Sequence, residues 1–214
     1  MLKKHKVFFM ISCLVTLLPI LPGLFLWPQL PEQMPTHFSF SGEVNGYSSK
    51  LFAVVGLYLF VFAAHCIAAT VTSADPKNRR LSDKVFCMIL CICPVVSLVC
   101  GASVYGAALG RGSFCSPRIM FFLLGVMYIV VGNYLPKCRQ NYTVGIKVPW
   151  TLNSEENWDR THRFSGKLWI IGGLVLVIAV VVPMMQTATV FTVVTLGITT
   201  VPCLYSFLLY RKGI

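Results

Sequence analysis

The sequence predicts an all-α, polytopic integral membrane protein with six transmembrane helices and both termini cytoplasmic. Three observations predict it. Of 214 residues 56% are hydrophobic and only 12% charged, and the mean hydropathy is +0.74. Six continuous apolar runs each approach the roughly 20 residues that cross a hydrocarbon core of about 30 Å. Lys and Arg are divided unevenly between alternate connections. This composition excludes a soluble globular enzyme and a disordered chain. The runs are unbroken rather than alternating, which excludes the strands of a membrane barrel.

The spans are expected near Val7–Leu26, Leu51–Val71, Val85–Leu109, Ile119–Leu135, Leu168–Met185 and Ala188–Leu209, the fourth and fifth being the shortest. Lys3, Lys4 and Lys6 precede the first run as in a secretory leader. That run is too long for one, however; Pro19 and Pro22 interrupt it, and it ends in Trp27-Pro28 rather than a small-residue cleavage site. An uncleaved anchor is expected.

Fifteen Lys and Arg fall on one side: Lys3, Lys4, Lys6, Lys77, Arg79, Arg80, Lys84, Lys137, Arg139, Lys147, Arg160, Arg163, Lys167, Arg211 and Lys212. Lys50, Arg111 and Arg118 fall on the other. The rule that positive loops stay inside places the fifteen in the cytoplasm. It also accounts for the pI near 9.4 without nucleic acid as a partner. Most of the nine Cys lie within spans as small apolar residues. Cys87 and Cys91 share a helix face with no neighbouring acid or His in sequence, and Cys115 and Cys138 fall on opposite sides. Neither a metal site nor a disulfide framework is expected.

Two connections are long. The outer one, residues 28–50, contains Pro28, Pro31 and Pro35, which favour extended backbone. Thr36 to Phe40 alternates like a short strand, Asn45-Gly46 predicts a turn, Tyr47 suits headgroup depth and Lys50 leads into the second span. His37 and Glu43 are a candidate proton- or metal-responsive pair. The inner connection, residues 136–167, contains Asn153 three residues before Glu156, the spacing of a capping box, so a helix is expected to begin near Ser154. On that helix Glu155, Trp158, Asp159 and His162 share a face. The segment reads either as an interfacial helix anchored by Trp150, Trp158 and Trp169, or as a recognition platform with Asp159 and His162 as a polar pair.

The residues Gly132-Asn-Tyr-Leu-Pro-Lys137, Asn141, Gly145-Ile-Lys-Val-Pro-Trp-Thr-Leu152 and Trp158-Asp-Arg-Thr-His-Arg-Phe-Ser-Gly-Lys-Leu-Trp169 closely resemble the signature of SdpI-family immunity proteins. The segment Leu30-Pro31, Pro35, His37-Phe38, Gly42, Asn45-Gly-Tyr47 and Lys50 resembles the short uncharacterised module that commonly precedes that signature. The division this implies is an N-terminal module over 1–72 with two spans, then an SdpI-like region over 73–214 with four. The chain departs from the usual pattern at Lys147-Val148, where Arg-Thr is customary, and so lacks a planar two-pronged donor there. Ser39 also stands where Asn or Asp is frequent.

The resemblance implies a multi-pass bacterial cell-membrane protein that resists a secreted, membrane-active toxin peptide. In some members it is also a receptor that holds a transcriptional repressor at the inner face. No cofactor, metal or catalytic residue is implied. The toxin-facing residues would be His37, Phe38, Gly42, Asn45, Tyr47 and Lys50. The inner platform would comprise Asn141, Gly145, Lys147, Pro149, Trp150, Thr151, Trp158, Asp159, Thr161 and His162.

Two other readings compete. Glu155-Glu156-x-x-x-Arg160 matches one motif of an intramembrane protease family, but no Phe stands four residues before any His, and no His-Glu-x-x-His or Gly-x-Ser-x-Gly occurs. A small transporter or channel would use the intramembrane polar residues His65 and Asn133, yet no acidic residue falls inside an expected span to relay protons.

Overall fold

The computed structural model describes residues 1–76, 82–111, 117–182 and 186–214. Six of its helices are long and apolar enough to cross a membrane: Lys6–Phe25, Phe52–Ala74, Asp83–Ala108, Arg118–Lys137, Glu155–Val181 and Thr187–Arg211. Large apolar side chains such as Val7, Leu14, Phe25, Phe60, Val181 and Val193 are exposed on them. On a soluble protein such a surface would be a liability; on a bilayer protein it is the lipid-facing surface. Lys77, Arg79, Arg80, Cys115 and the expected end of the fifth span at Met185 lie outside the described residues. The chain forms two compact units, residues 1–73 with 86–117 and residues 74–85 with 118–214.

In the first unit, α1 (Lys6–Leu17) stops where Pro19 can no longer donate to the helix ladder, and α2 (Ile20–Phe25) restarts with Pro22 in its first turn, where a missing N–H costs nothing. The Pro19 carbonyl accepts from Gly23 N–H at 3.3 Å and from Tyr105 Oη at 2.8 Å. A short 3₁₀ turn, Trp27–Gln29, leads to an antiparallel hairpin of β1 (Gln33–Phe38) and β2 (Val44–Ser49). A π-helical turn, Phe52–Gly56, then opens α3 (Leu57–Ala74). Helix α4 (Asp83–Ala108), which the sequence division places after residue 72, packs within this unit from Phe86 onward. Leu30 and Met34 drive the hairpin's base into a core with Ala53, Val54, Tyr58, Val104 and Tyr105.

Several buried polar residues of this unit are paired internally. Ser12 Oγ donates to the Phe9 carbonyl and accepts from His65 Nε2 at 2.8 Å, so the His65 partner is a hydroxyl on α1. Thr16 donates to the Ser12 carbonyl, and Ser97 to that of Thr16.

In the second unit, α5 (Pro117–Tyr134) is followed by a 3₁₀ turn (Leu135–Lys137), a loop, the short α6 (Pro149–Asn153), α7 (Glu155–Val181) and α8 (Thr187–Arg211). Helices α5 and α7 touch backbone to backbone at two levels. A Cβ added to Gly132 would lie 2.8 Å from the Gly166 carbonyl, and one added to Gly125 would lie 3.0 Å from that of Gly173. Small residues at such a seam replace the hydrophobic driving force that lipid does not provide. Trp169 Nε1 donates to the Ile198 carbonyl at 3.0 Å and Tyr128 meets Thr195 at 2.8 Å, joining α5 and α7 to α8.

Three expectations are corrected. The hairpin turns at Ser39–Glu43, where Ser39 N–H donates to the Glu43 carbonyl and Gly42 takes φ +88°; Asn45-Gly46 lies inside β2 at a break in the strand register. The fifth helix is the longest rather than among the shortest, because the helix expected from Ser154 and the span expected from Leu168 are one continuous helix. Its 27 residues span about 40 Å at 1.5 Å each, about 10 Å beyond the hydrocarbon thickness. A hydropathy reading detects only the lipid-soluble part, while the polar first turns are held by packing. Finally, the cap of that helix is Ser154, whose hydroxyl accepts from Asn157 N–H at 3.1 Å; Asn153 ends α6, so the Asn153/Glu156 box does not form.

Candidate functional site

Two regions gather the residues singled out in the sequence, and they are built in opposite ways. The first is the hairpin. His37 Nδ1 donates to Asn45 Oδ1 at 2.5 Å across the strands, so Asn45 and not Glu43 is the His37 partner. Thr36 and Ser48 pair their hydroxyls at 2.8 Å on the same hairpin. His37, Asn45, Tyr47 and Phe40 are exposed, and Phe38 and Gly42 are half-buried. Lys50 departs from the expected set. It is 7% exposed, its Nζ lies 2.7 Å from Glu32 Oε1 and 5.3 Å from the Trp27 ring centre, and it fastens the hairpin base rather than facing solvent.

The second region is the loop between α5 and α7. Asn141 is 1% exposed and organises it: Oδ1 accepts from the N–H groups of Thr143 and Val144, and Nδ2 donates to the carbonyls of Arg139 and Val144. A short polar side chain that bonds its own neighbouring backbone fixes a turn with no help from regular structure. Asp75, directly after α3, accepts from Tyr142 N–H at 2.8 Å and from Thr143 Oγ1 at 3.0 Å. Thr151 Oγ1 accepts from Val148 N–H and donates to the Ile146 carbonyl, closing the turn ahead of Pro149. Gln140 Nε2 donates to the carbonyls of Thr151 and Leu152, both at 2.9 Å.

Beneath this loop lie two stacked rings of α7. Trp158 and His162 have ring centres 4.0 Å apart and planes inclined by 18°. Trp158 Nε1 donates to the Cys138 carbonyl at 2.7 Å. His162 Nε2 accepts from Ile146 N–H at 3.0 Å, so that nitrogen carries no proton, and Nδ1–H donates to the Trp158 carbonyl at 2.8 Å. Gly145, at φ +120°, rests on both rings; a Cβ there would collide with His162 Nε2 and lie 3.1 Å from Trp158. Backbone angle and space both demand glycine. Burial pushes the Cys138 thiol up to about 11, against the opposing pull of its hydrogen bond from Asn141.

A further node ties α7 to α8. Asn157 Oδ1 accepts from Ser206 Oγ at 2.6 Å and from Thr161, while Nδ2 donates to the Ser206 carbonyl. Trp150 packs against Phe207 and Tyr210.

The expected polar pair and the expected Trp anchor are therefore corrected. Trp158, Thr161 and His162 are fully buried, whereas Asp159 is exposed. Of the inner platform residues, Lys147, Pro149 and Asp159 are exposed, Gly145 and Trp150 half-buried, and the others buried. Lys147 Nζ bonds the Thr143 carbonyl. Glu156 and Arg160 pair at 2.5 Å along one exposed helix face, the ordinary i, i+4 arrangement at a helix start. Asn133 is exposed one turn from the end of its span, 3.5 Å from Lys137 Nζ. Among the described residues no group of three His, Cys, Asp or Glu is placed to hold a metal ion.

Sequence reasoning missed Asp75, Gln140 and Asn157. Asp75 carried a signal, as an acid at the very end of an apolar run; the two amides carried none beyond their polarity.

Six apolar helices, a hairpin seated on one unit and a side-chain-knotted loop in the other define a multi-pass membrane protein. Residues 137–206 match the SdpI/YfhL protein family, and residues 14–62 match a domain of unknown function, DUF1648. The first match covers the knotted loop, α7 and most of α8; the second covers the helix break and the hairpin. The chain is 24% identical over 169 residues to Immunity protein SdpI of Bacillus subtilis (strain 168), covering 78% of this chain and 79% of that protein. No solved structure matches it. The chain is thus similar to SdpI/YfhL proteins over its last third and to DUF1648 over its first span and hairpin.

Proposed function

We propose that this protein is an immunity protein that protects the cell producing or encountering a secreted, membrane-active toxin peptide, with the hairpin as its toxin-contacting surface. The Bacillus subtilis relative, an immunity protein by name, supplies the class. The observation in this chain that carries the assignment to the hairpin is its construction. Met34 and Leu30 lock its base into the first unit's core, while His37, Phe40, Asn45 and Tyr47 remain exposed on a fixed frame. A preformed surface binds without the entropy cost of ordering itself. The asymmetry of Lys and Arg supports placing this hairpin outside, where a secreted peptide arrives.

A receptor role toward a cytoplasmic repressor, implied by the family resemblance, falls in this chain on exposed residues near the start of α7, such as Asp159, Arg160 and Arg163, because Trp158 and His162 are spent inside the protein.

The direct test is survival of a toxin-sensitive host expressing the chain. Protection by the wild type, lost in His37→Ala and Tyr47→Ala at unchanged membrane abundance, is the expected result. Orientation is tested separately by impermeant thiol labelling in a Cys-less background: Ser41→Cys labels in intact cells and Asn153→Cys only after permeabilisation. Labelling of Asn153→Cys in intact cells reverses the proposed sidedness.

A further inference from the structure

The break between α1 and α2 leaves a concave seat on the first unit. Leu18, Pro19, Pro22 and Leu26 form one wall, and α4 forms the other with Leu98, Ala102, Gly106 and Leu109, enclosing about 360 Å³. That volume falls within the range of about 300–1,000 Å³ typical of ligand pockets. The seat follows from sequence. Pro19 stops α1, and the small residues Ala102 and Gly106, one turn apart on α4, let the opposite wall recede. Its lining is apolar except at one end, where Arg111 stands.

The position of Arg111 is fixed by the way α4 ends. Gly110 takes φ +68°, its N–H bonds the Ala107 carbonyl at 3.1 Å, and Arg111 N–H reaches back to the Gly106 carbonyl at 2.8 Å. This left-handed cap folds the chain back over the last turn and sets the guanidinium at the mouth of the seat. Arg111 is exposed, and no carboxylate among the described residues pairs with it; in the same unit Glu32 is taken by Lys50. An unpaired guanidinium presents two parallel donors matched to a phosphate, and an apolar groove between spanning helices beside it matches an acyl chain.

We propose that this seat binds one anionic phospholipid, an acyl chain lying between the α1–α2 break and α4 and its phosphate on Arg111. A flat helix face exchanges lipid freely, whereas a groove between the proline break and α4, ended by a cation, holds one molecule. The site is separate from the hairpin surface of the proposed immunity function and does not depend on it.

The test is native mass spectrometry of the full chain, released from nanodiscs containing phosphatidylglycerol and phosphatidylcholine in equal parts. Retention of one phosphatidylglycerol is expected. Ala102→Leu, at an exposed position that fills the groove, and Arg111→Gln, which removes the charge, should each lower retention at least fivefold, while Arg111→Lys retains part of it. Equal retention of both lipids, or no loss in either variant, overturns the proposal. A benzophenone photo-crosslinker at position 98 adds a second readout: adducts with lipid support the proposal, and adducts with a peptide in place of lipid overturn it. Arg111→Gln does not alter the packed interior, so the test holds even if Ala102→Leu fails to fold.

Discussion

The hairpin at 33–49 and the loop at 138–153 are both connections between spans, and both hold many of the residues that mark the resemblance. They use those residues differently. In the loop and the start of α7 beneath it, Asn141, Thr151, Trp158 and His162 turn inward and are consumed by backbone hydrogen bonds. In the hairpin the inward positions are taken by ordinary apolar residues, Leu30 and Met34, which leaves His37, Asn45 and Tyr47 exposed. A connection without regular structure must satisfy its backbone with side chains, whereas a hairpin satisfies much of its own. Polar signature residues in the loop are therefore framework, and those in the hairpin are available for contact.

The largest expected effects lie in the loop and the start of α7 beneath it. Trp158→Ala removes a fully buried ring and the donor to the Cys138 carbonyl, and should destabilise the second unit by about 3–5 kcal/mol. Gly145→Ala should cost about 1–3 kcal/mol from backbone strain alone, before the collision with His162 is counted. Thermal unfolding in detergent measures both. Cys138 supplies an independent readout in a variant lacking the other cysteines. Buried, with its thiol held near 11, it should react slowly with maleimide at neutral pH in the wild type and rapidly in Gly145→Ala. Unchanged stability and unchanged labelling in both variants would break the comparison, since the loop would then not depend on its signature residues.

His162→Ala sharpens it. The substitution orphans Ile146 N–H and should cost about 1–3 kcal/mol. His162→Gln, with an acceptor at similar reach, should recover part of that loss, whereas a role for the imidazole in proton chemistry would not be rescued by an amide.

How far the sequence carried these conclusions depends on what each element rests on. The spans were legible because bilayer crossing is a matter of length and hydropathy, and all six fall close to expectation except the start of α7. A helix start near Ser154 was legible, but its unbroken run into the fifth span was not, because Asn157, Trp158, Thr161 and His162 are stabilised by partners distant in sequence, such as Cys138 and Ser206. The hairpin turn was misplaced because Asn45-Gly46 is the stronger local turn pair, yet Ser39 closes the turn with both its backbone and its hydroxyl, and Asn45 is needed opposite His37. The grouping of the loop residues came from the resemblance, but their burial did not: spacing gives a helix face without saying whether that face meets protein or water.

Asp75→Asn tests the loop more gently. The side chain keeps an acceptor for Tyr142 N–H or Thr143 Oγ1 but loses its charge, so the loop should stay folded while its edge opens more often. Amide exchange at Tyr142 and Thr143 should accelerate about tenfold, equivalent to about 1.4 kcal/mol, with little change at Trp158 N–H inside α7.

The smallest structural effect, and the most informative one, is expected in the hairpin. Tyr47→Ala removes an exposed ring, and His37→Ala removes an exposed imidazole whose partner Asn45 is itself exposed, so water can replace the lost bond. Each should change stability by no more than about 0.5 kcal/mol. If the hairpin contacts the toxin, the same variants should still lower protection, because an aromatic anchor removed from an interface typically costs about 2 kcal/mol or more. Stability and protection would then separate here, whereas in Trp158→Ala they should fall together with the folded protein. A hairpin variant that lost abundance as well would place its polar residues in the framework alongside those of the loop. Full protection with His37 and Tyr47 both replaced would move the toxin contact off this surface and leave the hairpin as a cap on the first unit.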